Sequence, residues 1–168
     1  MNTKHLLLSF LTLAGASLAF AKTPVWTQSE NYPGSTSRND DIHFVDEHTG
    51  WAAAGGTGQI YKTTDGGKNW VLKLTKTGTH FRSIGFLTES VGFAGNLGVG
   101  SYDGSVTDTN VLYGTADGGE TWNVVPGISE TGMKGFCAFH VLDSQHIYGG
   151  GRVRGPAYFV KSEDAGTN

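Results

Sequence analysis

A single cysteine, Cys137, excludes an internal disulfide, so no covalent cross-link holds this fold. Its setting, "GFCAFHV", is apolar and strand-like, which reads as an inert core position. Proline is scarce, 4 of 168 residues, which excludes a Pro/Gly-rich disordered tract despite 26 glycines. Charge of one sign is also scarce. A formal net charge of -3 leaves no electrostatic footprint for nucleic acid or an anionic membrane. HExxH, a G-x-S-x-G elbow, a Walker loop and CxxC are all missing, so no metal or cofactor is assigned. Asp103 and Asp108 share a long loop, but without the spacing of a calcium-binding EF-hand. Amphipathic helical periodicity is absent beyond residue 21.

The one long hydrophobic run lies at the start. Lys4 precedes "LLLSFLTLAGASLAF", and residues 19–21 form an A-x-A cleavage site. Residues 1–21 therefore read as a signal peptide, with Lys22 opening the mature chain. The run is short for a span of ~20 residues, so no membrane span is expected after cleavage. No cysteine stands near the site to carry a lipid. The expected location is the periplasm or the extracellular space.

What the chain does have is a repeat. "TTDGGKNW" (residues 63–70) recurs as "TADGGETW" (115–122) and begins again as "SEDAGTN" (162–168). The flanks repeat too: "DIHFVDEHTGWAAAGG", "SIGFLTESVGFAGN" and "AFHVLDSQHIYGGG". Each unit offers four short apolar runs separated by Gly, Asp, Asn or Ser turns. A period of about 50 residues with four strands is the signature of a propeller blade. The spacing predicts an all-β protein of four-stranded antiparallel blades, with blade units at 37–75, 79–126 and 134–168. The Asp-Gly-Gly motif falls between the third and fourth strands, as a hairpin turn. Glycines there supply positive φ, and the aspartate accepts the turn's N–H groups. A phosphate-binding role is disfavoured, because no helix follows the glycines. The turn residues read as structural: Thr63, Asp65, Gly67, Trp70, Thr115, Asp117, Gly119, Trp122, Ser162, Asp164 and Gly166.

The pattern S/T-x-D-x-G-x-T-W resembles the Asp-box, or BNR repeat, of sialidases, xyloglucanases, sortilin-type receptors and photosystem II assembly factors. The second copy fits fully, and the first has Asn69 for threonine. With "I-x-F-x-D-x-x-x-G-W" (residues 42–51), the chain is most similar to the photosystem II stability/assembly factor-like family. The resemblance implies a seven-bladed ring. About two and a half to three blades are present, so an incomplete ring is expected. "TPVWTQ" (23–28) then reads as an isolated fourth strand, with Trp26 at the box tryptophan position.

Blade geometry collects the remaining loops on the face opposite the boxes. All four arginines fall there, Arg38, Arg82, Arg152 and Arg154, together with Asp40, Asp41, His80 and Tyr102. Arginine forks suit carboxylates on a peptide or a sugar acid. His43 and His140 lie within strands and read as packed rather than ligating. The resemblance implies a non-enzymatic exported scaffold with a protein or peptide partner. Its alternatives are a glycoside hydrolase of sialidase or xyloglucanase type and a polysaccharide-binding module with a glycan ligand. The sialidase motif F/Y-R-I-P is lacking around Arg38 and Arg82. Asp40 and Asp41 are adjacent, which predicts side chains on opposite sides of a strand and a weak catalytic pair.

Overall fold

A computed structural model of the chain describes residues 25–29, 31–32, 38–101, 104–152, 154–156 and 158–167. The leader and Tyr102 lie outside the described residues. Among those described there is no α-helix, and only two short 3-10 turns, Gly55–Thr57 and Ile128–Thr131. The strands are β1 (Asp41–Phe44), β2 (Gly50–Ala54), β3 (Gln59–Thr63), β4 (Val71–Thr75), β5 (Phe81–Phe86), β6 (Gly92–Asn96), β7 (Leu112–Thr115), β8 (Asn123–Val124), β9 (Ala138–Val141), β10 (Ile147–Gly150) and β11 (Phe159–Ser162). They form three antiparallel meanders: β1-β2-β3-β4, β5-β6-β7-β8 and β9-β10-β11. Every strand pairs with its neighbour in sequence, so each connection within a sheet is a local hairpin.

Sequence decides which strands lie deepest. β2 (GWAAA) and β6 (GFAGN) carry no charge and are buried along their whole length. Small residues let the neighbouring sheets approach both of their faces. β4 (VLKLT) and β8 (NV) are the exposed outer strands. β5 packs beside both β1 and β9, so the first strands gather on the inner side of the arc. One apolar core fills the space between the first two sheets around Trp51, Ile60, Phe81 and Phe86. Another lies between the second and third sheets around Phe93, Leu112, Phe136 and Ile147.

Trp51 is the main link of the first interface. Its ring stacks on Phe86 of the next sheet, with centroids 3.5 Å apart and planes 7° from parallel. Its indole N–H donates to the Gly118 carbonyl at 3.0 Å, and the Lys62 ammonium sits 5.0 Å above its ring. Phe93 takes the same position at the second interface. It lies so close to Gly166 that a Cβ there would stand 2.1 Å from its ring.

The three Asp-Gly turns close on themselves. The Asp65 carboxylate accepts the Asn69 N–H at 2.9 Å and the Asn69 amide at 2.8 Å. Thr63 donates its hydroxyl to Asp65 at 2.9 Å and accepts the Gly67 N–H at 2.9 Å. Thr115, Asp117, Gly119 and Thr121 repeat this at 2.6 to 2.9 Å. Ser162, Asp164 and Gly166 repeat the first half. Gly66, Gly67, Gly118 and Gly119 all have positive φ, as the turn requires. Trp70 and Trp122 donate to the Gly67 and Gly119 carbonyls at 3.1 Å and stand edge-on to Phe44 and Phe86. Both are half-buried rather than sealed beneath the turn.

Residues 25–28 differ from the expectation of an isolated fourth strand. They form no strand and are exposed, and residues 23–24 of the expected strand lie outside the described residues. The architecture is an arc of propeller blades, incomplete as a ring: two of four strands and one of three.

Candidate functional site

The face opposite the Asp-Gly turns is built around Asp40. Asp40 immediately precedes β1, and its N–H donates to the Ala53 carbonyl. Its carboxylate is 0% exposed and gathers two arginines and one histidine. His80 Nε2 lies 2.9 Å from Oδ2, Arg38 Nε lies 2.9 Å from Oδ1, and Arg82 donates to Oδ1 as well. Burial works against the Asp40 charge. The His80 hydrogen bond and the charges of His80, Arg82 and Arg38 outweigh it and hold the carboxyl below its ordinary value. With Asp40 ionised, His80 Nε2 carries the hydrogen and donates it.

Gly55 makes room for this cluster. A Cβ at that position would stand 2.0 Å from Asp40 Oδ2 and 2.6 Å from the His80 ring. The second sheet holds the histidine from behind. The His80 N–H donates to Asn96 Oδ1 at 3.1 Å, and its carbonyl accepts the Leu97 N–H at 2.8 Å. Asn96 is fully buried, and its amide donates to the Asp108 and Asn110 carbonyls at 3.1 and 2.8 Å. Asp108 in turn accepts the Thr79 hydroxyl at 2.7 Å and the Tyr113 hydroxyl. Burial opposes its charge, yet these hydrogen bonds hold its carboxyl below the ordinary value.

Two guanidiniums therefore share one carboxylate. The side chains of Arg38 and Arg82 remain 45% and 28% exposed. They sit on a buried base, and the Asp41 carboxyl also acts on Arg82 through its charge. An anionic group of carboxylate geometry fits that arrangement.

The other expected residues are elsewhere. Asp41 does not oppose Asp40 across a strand. It also turns toward β5, where Oδ2 accepts the Ile84 N–H at 2.9 Å, while Oδ1 accepts the Ile42 N–H at 2.9 Å. Asp40 stands just ahead of β1, where strand alternation does not yet govern direction. Burial raises the Asp41 carboxyl, against the two backbone hydrogen bonds. His43 reaches the Phe86 backbone on the same strand, and burial lowers its imidazole below the ordinary value. His140 is exposed rather than packed. Arg152 donates to the Val99 carbonyl at 2.6 Å and the Gly155 carbonyl at 3.1 Å, tying two loops together. Arg154 is exposed at a φ of 63°. Neither residue joins the Asp40 cluster.

Sequence reasoning missed Asn96 and Gly55, and weighed Asp108 only as a calcium ligand. Asn96 closes a quoted repeat, but nothing in its spacing marks a buried hub. Among the described residues, no group of three or more His, Cys, Asp and Glu side chains converges as metal ligands would.

The chain matches no protein-family profile and no curated protein sequence. Solved structures do resemble it. YCF48 bound to D1 peptide aligns over 79% of this chain and 39% of its own, with a TM-score of 0.58 and 19% identity. YCF48 from Cyanidioschyzon merolae aligns over 82% of this chain and 41% of its own, with a TM-score of 0.57 and 17% identity. An ancestral GH74 enzyme aligns over 88% of this chain and 19% of its own, with a TM-score of 0.59 and 15% identity. The chain thus spans about two fifths of the YCF48 structures and a smaller share of the enzyme. At such identities the likeness speaks for architecture alone. Together with the three sheets, it makes this chain part of a β-propeller.

Proposed function

We propose that the chain belongs to an exported, non-enzymatic propeller that binds a protein or peptide segment, similar to the photosystem II assembly factor-like proteins. The single observation that carries this reading is the Arg38–Asp40–Arg82 cluster. A buried carboxylate fixes two partly exposed guanidiniums. Pre-fixed forks lose little entropy on taking up an acidic side chain or a terminal carboxylate. The peptide bound to YCF48 supports the class of ligand, at the level of fold only.

The two adjacent carboxylates weighed as a catalytic pair, Asp40 and Asp41, are otherwise engaged. Asp40 is sealed and held ionised by its cations, which disfavours a general acid. Asp41 accepts two backbone N–H groups within the sheets. Neither is placed as a free acid or a nucleophile. The glycoside hydrolase reading rests on the GH74 likeness, and a glycan-binding module would use the same arginines on sugar acids.

A panel experiment separates these readings. The full chain is screened for turnover on sialosides and β-glucans, and for binding to acidic peptides and to neutral and acidic glycans. Peptide binding without turnover is expected. Turnover abolished by Asp40→Asn or Asp41→Asn would replace this reading with the hydrolase.

A further inference from the structure

Arg38 and Arg82 belong to different sheets. Arg38 lies in the lead-in to β1, whereas Arg82 lies on β5. β5 is irregular at that point. Phe81 pairs with Asn96 and Ser83 with Gly95, so Arg82 is the extra residue of a bulge. A bulge re-aims the side chain it carries, and this one meets Asp40 ahead of β1. Arg38 Nε and Arg82 Nη1 both meet the same oxygen, Asp40 Oδ1. Two guanidiniums gathered at one atom lie close enough for a single carboxylate to touch both.

The offset between the first two sheets therefore sets the spacing of the two arginines. Asp41 fixes that offset through the backbone. Three residues after Arg38, it crosses the seam and accepts the Ile84 N–H at 2.9 Å, two residues after Arg82. Register makes Ser83 and Ala138 its equivalents on the next two sheets, because the three face Ala53, Gly95 and Gly150. Ser83 is 0% exposed, and its hydroxyl has no hydrogen-bond partner among the described residues. Apolar cores fill both seams, and the second one stands without such a tie. The tie is made at the seam that carries the arginines.

On the basis of the peptide-binding function proposed for this face, we propose that the ligand's carboxylate bridges the first and second sheets, with Asp41 as the positioning residue that sets the spacing of Arg38 and Arg82. Asp41 touches no ligand in this arrangement. Its bond to Ile84 holds β5 against β1, and so holds the two guanidiniums at the width of one carboxylate. A carboxylate held by both arginines in turn ties the two sheets together.

Calorimetric titration of the full chain from Met1 with an acidic peptide that has a free terminal carboxylate tests this. Asp41→Ala and Asp41→Asn both remove the charge that acts on Arg82, but only asparagine keeps an oxygen for the Ile84 N–H. Asp41→Ala should bind tenfold or more weakly than wild type, and Asp41→Asn should restore the affinity. Asp117→Asn, which weakens a turn on the opposite face, should bind like wild type. Arg38→Gln and Arg82→Gln should each lose tenfold or more. Amidating the terminus, or neutralising the acidic side chains, identifies which carboxylate forms the bridge. Equal affinities of Asp41→Ala and Asp41→Asn overturn the proposal and leave the peptide-binding function standing. So does a loss carried by one arginine alone, or a loss in Asp117→Asn as large as that in Asp41→Ala. Absence of binding by wild type removes the peptide-binding function and the proposal with it. If Asp41→Ala fails to fold, the two single-arginine variants decide.

Discussion

Asp65 and Asp117 use their charge to hold a turn. Their carboxyls are pulled to about 2, from an ordinary 3.8, chiefly by the side chains of Asn69 and Thr121 and then by the backbone N–H groups of those residues. A depressed folded-state value means that the stabilisation is present above about pH 4 and is lost as pH falls through about 2. Asp117→Asn should therefore lower the thermal midpoint at neutral pH, and the gap from wild type should close between those limits. A gap that persisted at pH 2 would show that the turn does not depend on the carboxylate charge. Gly55→Ala acts on the other face. Its Cβ would overlap Asp40 and His80, so denaturant unfolding should show a loss of about 1–3 kcal/mol. A neutral result would mean that the cluster yields without strain. The turn residues were legible in the sequence because their partners lie within four positions. The Asp40 cluster joins residues 40 and 42 positions apart. Only the collection of charged loops on one face was readable, and Arg152 and Arg154 were grouped with it by their place in those loops.

At the scale of elements, the strands hold one another through side chains that cross from sheet to sheet. Trp51 is fully buried and fills the gap between β2 and β5. Trp51→Ala should cost about 3–5 kcal/mol in equilibrium unfolding, with a smaller loss for Trp51→Phe, which forfeits only the bond to Gly118 and some area. Equal losses for the two would place the whole effect in the hydrogen bond. Asp41 ties β1 to the Ile84 N–H of β5. Asp41→Ala leaves that donor without its acceptor and should cost about 1–3 kcal/mol by the same measurement. Strand positions were legible because hairpins are local and apolar runs stand between glycine turns. The direction of Asp41 was not, since it depends on a neighbouring sheet whose distance the sequence does not encode. The exposure of His140 has the same origin.

At the scale of the molecule, the described residues form an arc of sheets with two distinct faces. The Asp-Gly turns face one way and are saturated by their own hydrogen bonds, so they offer little to a ligand. The opposite face presents Arg38 and Arg82 on a buried anchor. The repeat made the arc legible in the sequence, because each blade is one period. The wiring of residues 96–110 behind His80 was not legible, since Asn96 and Asp108 act through loop carbonyls and hydroxyls rather than through a motif. Binding through partly exposed guanidiniums should weaken with salt, as screening shortens their reach. The most direct measurement is a titration of an acidic peptide with a free terminal carboxylate, and of its neutral, amidated counterpart, against wild type and Arg38→Gln/Arg82→Gln. The account predicts binding of the acidic peptide to wild type, weakened by salt, tenfold or more weaker in the double variant, and weak binding of the neutral peptide to both. Equal affinity of the two proteins for the acidic peptide would contradict it.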